Sequence, residues 1–259
     1  MGAMDLVREW IEPLFRWVHV VAGIAWIGHL YFFNWVNAQV AKTYDADSKK
    51  KVIPELMPRA LYWFRFGALY TWITGVFLLG IVYYHPLAKM EGGMDDIVAG
   101  LALWIIGPMI YDQLWKAMEK QEQAGVIASF VLLVAAVAGL HFGVQMAGRA
   151  LFLHIGALFG TTMAMNVWMR IWPAQKKIIG AIAAGQAPDA ALAARAGLRS
   201  KHNTYMSVPL VFFMLSQHTF AFYSERDYAW IILLAIVVVG WLVTKWIYNK
   251  SATAAPKSI

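Results

Sequence analysis

The sequence predicts an all-α protein, a polytopic membrane bundle of seven transmembrane helices. Three observations carry this reading. Of 259 residues, 60% are hydrophobic and only 14% charged, whereas a soluble domain carries about 25% charged residues. Seven apolar segments reach the roughly 20 residues that a helix needs to cross the hydrocarbon. The basic residues also gather on alternate connections, as they do when a chain is threaded back and forth through a bilayer.

The expected spans, in order, are residues 14–40, 59–84, 97–115, 124–146, 150–172, 204–223 and 228–248. They take up most of the chain, so residues 1–259 read as a single membrane domain. The first run is too long for a cleavable signal and lacks a small-residue cleavage site. The short connection at Ala147–Arg149 makes spans four and five one hairpin, and Ser224–Asp227 does the same for six and seven. The longest connection, residues 173–203, contains Pro188 and Asp189. That pair can start a short helix through Arg199, lying on the membrane surface. Pro108 and Pro209 fall inside spans, where proline kinks a helix and frees carbonyls.

Charge then sets orientation. Sixteen basic residues, from Lys42, Lys49, Lys50 and Lys51 through Lys176, Lys177, Arg195, Arg199 and Lys201 to Lys250 and Lys257, fall on one side. The opposite side holds Arg8, Arg16, Lys89, Arg149 and Arg226, and Arg65 lies within span two. The positive-inside rule places the N-terminus outside and the C-terminus inside. The net charge of +7 is therefore a topology signal, and a nucleic-acid partner is not expected. The absence of cysteine excludes disulfides, thiolate metal ligands and a cysteine nucleophile. There is no phosphate-binding loop, no paired carboxylate within a span and no serine–histidine–aspartate pattern, which argues against ATPases and hydrolases.

Histidine is what remains for chemistry. His141 and His154 flank the hairpin turn symmetrically, His19 lies just below the outer start of span one, and His218 just below the turn before span seven. At 1.5 Å per residue all four sit roughly 8–11 Å below the outer surface. His85 ends span two on the same side, His29 lies deeper, and His202 stands at the inner mouth of span six. A single buried histidine is readily explained as a helix–helix hydrogen bond. Four at one depth on four helices point instead to a site, because an ionisable group in a membrane is costly and faces the bundle interior. Neutral imidazole ligates iron, and haem b held by two histidines suits a helical bundle. Gly23, Gly139, Gly143 and Gly156 permit close helix approach, and Arg16 and Arg149 are candidate partners for haem propionates. Arg65 either binds an anion or snorkels to the inner interface. Asn34, Gln145, Asn166 and Gln217 either line a site or bond across helices.

Three stretches carry a family resemblance. LFRWVHVVAGIAWIGHLYFF (residues 14–33), RALYWFRFGALYTWITG (59–75) and RSKHNTYMSVPLVFFMLSQH (199–218) resemble the membrane-bound urate oxidase, or urate hydroxylase, family. The similarity covers about residues 5–250, and the third stretch is the most specific. The first is shared with other small haem membrane proteins.

The resemblance implies a multi-pass protein of the bacterial inner membrane that oxidises urate towards 5-hydroxyisourate. Electrons would leave through one or two haem b groups, with His19, His141, His154 and His218 as iron ligands. Arg65 and Asn203 are the candidate substrate contacts, and His202 and His29, which could build an inner site, are the catalytic candidates. Family members add a further span and a C-terminal cytochrome c domain; this sequence has no Cys-x-x-Cys-His motif. The expected acceptor is therefore a separate cytochrome c or a quinone, and a homo-oligomer stays open. The alternative function is a haem-binding electron-transfer or haem-handling membrane protein that does not use urate. A retinal protein would need a mid-span lysine, but Lys245 lies near the inner boundary. A cofactor-free transporter would be colourless.

Overall fold

A computed structural model describes residues 7–84, 93–216 and 227–253. Among these residues the chain is helical throughout, with no strand. Helix α1 is Glu12–Tyr31, preceded by a π-helical stretch at Val7–Ile11 and followed by another at Phe32–Asn37. Helix α2 (Ala46–Leu79) runs into π-helical turns at Gly80–Tyr84, α3 is Met94–Ala117, and α4 (Glu122–Ala138) ends in a π-helical stretch at Gly139–Gly143. Helix α5 (Gly148–Met165) passes through a π-helical stretch at Asn166–Ile171 into α6 (Trp172–Ala183). Helices α7 (Ala190–Ser216) and α8 (Ala229–Thr253) complete the described chain.

Five helical runs are long and apolar enough to cross a membrane: Ala46–Tyr84, Met94–Ala117, Glu122–Gly143, Gly148–Ala183 and Ala229–Thr253. Their large side chains are exposed as readily as buried, among them Ile105, Met109, Leu132, Leu242 and Trp246. Such a continuous apolar exterior is what contact with lipid requires and what water would not tolerate. The protein is thus all-helical with the surface of a multi-pass membrane protein. Residues 148–183 form the most enclosed of the five runs.

The long connection is more ordered than its sequence suggests. Pro173 occupies an early position of α6, where its missing N–H is no loss, so the helix continues past the fifth expected span. Asp189 then accepts hydrogen bonds from the backbone of Ala191 (2.8 Å) and Leu192 (3.2 Å), starting the next helix. The start at Pro188–Asp189 is as expected, but the helix does not stop at Arg199. It runs unbroken to Ser216, so the segment expected as a separate surface helix shares one continuous helix with residues 204–216. Pro209 lies inside this helix. At the other hairpin, Gln145 adopts a left-handed φ of 57°, and Met146 N–H bonds back to Leu140 O at 2.9 Å.

The chain divides into two compact units. Unit one comprises Met1–Phe77, Met163–Tyr205 and Trp241–Ile259; unit two comprises Leu78–Thr162 and Met206–Gly240. In unit one, α1 and α2 touch backbone to backbone at Gly67. A Cβ there would lie 3.0 Å from the Trp26 nitrogen and 3.1 Å from the Ala22 carbonyl oxygen. In unit two, a Cβ at Gly240 would lie 2.8 Å from Pro209, so a glycine on α8 seats the proline on α7.

The Gly67 contact is testable. Gly67→Ala must push two backbones apart, and overpacking of that kind costs about 1–3 kcal/mol. Gly28 on the same helix pair has open space around its Cβ position. Thermal unfolding in detergent should show a clear loss for Gly67→Ala and none for Gly28→Ala. Equal behaviour of the two variants would contradict the close packing.

Candidate functional site

Unit one buries an amide ladder. Asn203 on α7 is fully buried and Asn166, on the π-helical stretch after α5, is 2% exposed. Asn166 Nδ2 donates to Asn203 Oδ1 at 2.8 Å, and Asn203 Nδ2 donates to the Met163 carbonyl at 3.0 Å. An amide in an apolar interior is tolerated only when it is bonded in this way. A second rung uses Asn34, on the π-helical stretch after α1. Its Nδ2 donates to Ser200 Oγ at 2.8 Å and to Leu30 O at 2.9 Å, while Tyr248 OH donates to its Oδ1 at 3.0 Å. Tyr205 stacks on Tyr248 with centroids 5.8 Å apart. Arg199, on the same helix, is 1% exposed, and its charge and that of Lys201 act on His202. Both asparagine rungs start from π-helical turns, which widen a helix and re-aim its side chains.

Arg65 on α2 packs among aromatic rings. Its guanidinium carbon lies 3.8 Å above the Trp172 ring, 5.1 Å from Phe66 and 5.6 Å from Tyr62. Phe66 in turn meets Trp168 edge-on at 5.8 Å. Arg65 Nε and Trp168 Nε1, on two residues that both contact Phe66, are buried donors with no hydrogen-bond partner among the described residues. Trp26 Nε1 and Trp35 Nε1 of the same unit share that condition. Each buried, unanswered donor costs about 1–3 kcal/mol. The unit therefore offers cationic and N–H donors beside flat aromatic faces. That chemistry suits a planar, anionic ring rich in carbonyl oxygens.

Three histidines share one orientation. His29 Nδ1 lies 2.7 Å from the Ala25 carbonyl oxygen. A carbonyl only accepts, so Nδ1 carries the proton and Nε2 holds the lone pair. His19 Nδ1 lies 3.0 Å from Thr74 Oγ1, whose own hydroxyl donates to Tyr70 O at 2.6 Å. His19 therefore also has a basic Nε2, and Gly75 lies against its ring, 3.1 Å from Cε1 to a Cβ built there. In unit two, His154 Nδ1 donates to Ala150 O at 2.7 Å, and its Nε2 receives the Tyr84 hydroxyl at 2.6 Å. His141 is buried between Phe142 (4.5 Å) and Trp230 (6.4 Å).

Anchoring Nδ1 to an oxygen is the usual outer-shell support of a metal-ligating histidine, so the donor chemistry at His19 fits a haem iron. Among the described residues no three histidine, aspartate or glutamate side chains converge as on a bare metal ion, whereas haem takes only two axial ligands. Arg16 is held by Glu12 at 2.6 Å. Arg149 Nε is buried with no partner among the described residues, which leaves it the better placed for a propionate. His85 and His218 lie outside the described residues.

The sequence-level candidates thus fall into separate groups. Asn203 joins Asn166, Arg65 joins Trp168 and Trp172, and His19 joins Thr74. His19 belongs to unit one, while His141 and His154 belong to unit two. Sequence reasoning missed Ser200, Tyr248, Trp168 and Thr74. Only Ser200 carried a signal, one turn before the buried Thr204 in the most specific stretch.

The family described as urate oxidase N-terminal matches residues 5–52 and 43–258 of this chain. Neither a curated protein nor a solved structure matches it.

The amide ladder makes a defined prediction. Asn203→Leu strands the buried Asn166 amide and should destabilise by about 1–3 kcal/mol. Asn166→Leu should do the same, and the double variant should lose clearly less than the sum of the two. Denaturant unfolding of the four proteins in detergent measures this, and strictly additive losses would show that the amides are not coupled.

Proposed function

The chain belongs to the urate oxidase N-terminal family, and on that premise we propose that it is a membrane oxidoreductase that oxidises urate to 5-hydroxyisourate. The observation that carries this beyond family membership is the donor-rich aromatic site of unit one. Urate is a flat anion with three carbonyl oxygens. Arg65 Nε and Trp168 Nε1 are buried donors on two residues that contact the Phe66 ring, and Asn203 lies in the stretch that most resembles the family. Arg65 and Asn203 are the proposed substrate contacts.

The chemistry balances as urate plus water giving 5-hydroxyisourate, two electrons and two protons. Water adds to the oxidised ring, and a neutral histidine takes up its proton. Either His29 or His202 serves as this base. His29 presents a lone pair at Nε2 because its Nδ1–H is tied to Ala25. Trp172 stacked over Arg65 covers one face of the guanidinium. Two of His19, His141 and His218 would hold a haem b, which supplies one-electron acceptance, since Tyr84 engages Nε2 of His154, the fourth expected ligand. The tether from His19 Nδ1 to Thr74 would fix that ligand's orientation. The electrons would pass to a separate cytochrome c or a quinone. The proposed topology has seven spans across the bacterial inner membrane, with the N-terminus outside and the C-terminus inside.

The test is the visible spectrum of the purified protein under anaerobic conditions. Urate should reduce the haem while urate absorbance falls. A haem that stays oxidised with urate yet reduces with dithionite would leave a haem-binding protein without urate chemistry. His19→Ala should diminish or abolish the Soret band. Arg65→Gln should leave that band intact and raise KM for urate about tenfold or more, the cost of losing a charge-assisted hydrogen bond. A KM unchanged by Arg65→Gln would remove Arg65 from the substrate site.

A further inference from the structure

Unit one holds a cation without a counter-ion. Arg65 takes part in no ion pair among the described residues. Its guanidinium meets rings instead, Trp172 at 3.8 Å, Phe66 at 5.1 Å and Tyr62 at 5.6 Å. Its Nε is buried and unanswered among those residues. Two other cations of the same helix are treated differently. Lys51 and Arg59 are exposed, and each meets a carboxylate one turn earlier, Asp47 and Glu55, at 2.7 Å.

This arrangement lacks a negative charge. An arginine within a membrane span ordinarily pairs with an acid or a backbone carbonyl, and a buried charge left uncompensated is strongly unfavourable. Aromatic faces return part of that cost through cation–π attraction, but they carry no net charge. A second cation stands close by. Lys176, exposed on α6 one turn after Trp172, has its Nζ 5.9 Å from the centroid of the same ring. It too takes part in no ion pair among the described residues. Two cations sharing one ring lie within about 10 Å of each other, a Debye length at 0.1 M salt, and therefore repel. An anion beside the ring supplies the missing counter-charge and relieves that repulsion.

We propose that this site selects its purine by charge. Arg65 is the specificity-determining contact for a planar oxopurine in its anionic form, and Lys176, the exposed cation, adds attraction at longer range. The same ring in its neutral form leaves the guanidinium without a counter-ion and binds weakly. The inference deepens the urate reading and rests on it for the identity of the ring. The charge requirement comes from the geometry of Arg65, Trp172 and Lys176 alone.

The probe is xanthine, which has the ring frame of urate without the carbonyl at C8. It passes from neutral molecule to anion between mildly acidic and mildly alkaline solution, while an arginine keeps its charge. Isothermal titration calorimetry of the purified full chain in detergent measures xanthine and urate binding at both ends of that range. Xanthine affinity should rise about tenfold or more as xanthine ionises, the worth of a charge-assisted hydrogen bond. Urate, an anion at both ends, should change little. Arg65→Gln leaves every histidine in place and should abolish the rise, while Arg65→Lys should keep part of it. Lys176→Gln should weaken urate binding about threefold at low salt and leave it unchanged at high salt. Equal affinity for neutral and anionic xanthine would overturn the proposal, as would a rise that persists in Arg65→Gln. A low-salt affinity unmoved by Lys176→Gln would overturn the part given to Lys176. Urate oxidised without any such charge preference would overturn the proposal and leave the urate reading standing. Arg65-dependent binding of both anions by a protein that does not oxidise urate would sink the urate reading and keep the charge-selective site. Binding of neither purine would overturn both.

Discussion

Buried hydrogen-bond donors constrain everything else in this protein. In an apolar span there is no water to answer a stray N–H, so each polar side chain must meet an acceptor on a neighbouring helix or pay for its isolation. Asn203 meets that demand in both directions, taking the Asn166 amide and giving its own to Met163. These bonds fix the register of α7 against the end of α5, because a shift of one residue would bury both amides unpaired. Asn34, Ser200 and Tyr248 do the same for α1, α7 and α8 within unit one. The helical geometry follows suit, since both asparagine rungs begin on π-helical turns that swing the side chain towards its partner.

Where the demand is not met, the molecule is prepared for something else. Arg65 and Trp168 hold buried donors that no described residue answers, and the rings of Phe66 and Trp172 stand beside them. A bundle that satisfies Asn203 so fully has no structural reason to leave these donors idle. Under the proposed function, these are the donors that a purine-like anion would meet. His19, His29 and His154 follow a parallel logic, each with Nδ1 tied to an oxygen so that Nε2 carries the lone pair. At His154 that nitrogen is already engaged by Tyr84, and at His19 it is not among the described contacts.

Much of this was legible in the sequence. Apolar runs of about 20 residues marked the helices, and Asp189 marked the start of α7 through its capping chemistry. Arg65, Asn203 and Asn166 stood out because polar groups are rare in spans. The continuity of α7 through Arg199 was not legible, because the change from charged to apolar residues resembles a boundary while the backbone sees none. The partners were also hidden. Thr74, Ser200, Tyr248 and Trp168 are ordinary residues in a membrane helix, and only three-dimensional proximity, across as many as 214 positions between Asn34 and Tyr248, gives them a role. Hairpin symmetry singled out His141 and His154, but it carried no information about Tyr84, which claims one of them.

The most direct measurement of the central claim is an experimental structure of the protein with urate bound in the absence of an electron acceptor. The purine ring should lie against the Phe66 and Trp172 rings, with its carbonyl oxygens within hydrogen-bond distance of Arg65 Nε and Trp168 Nε1. Urate bound elsewhere, with Arg65 and Trp168 still unanswered, would contradict it.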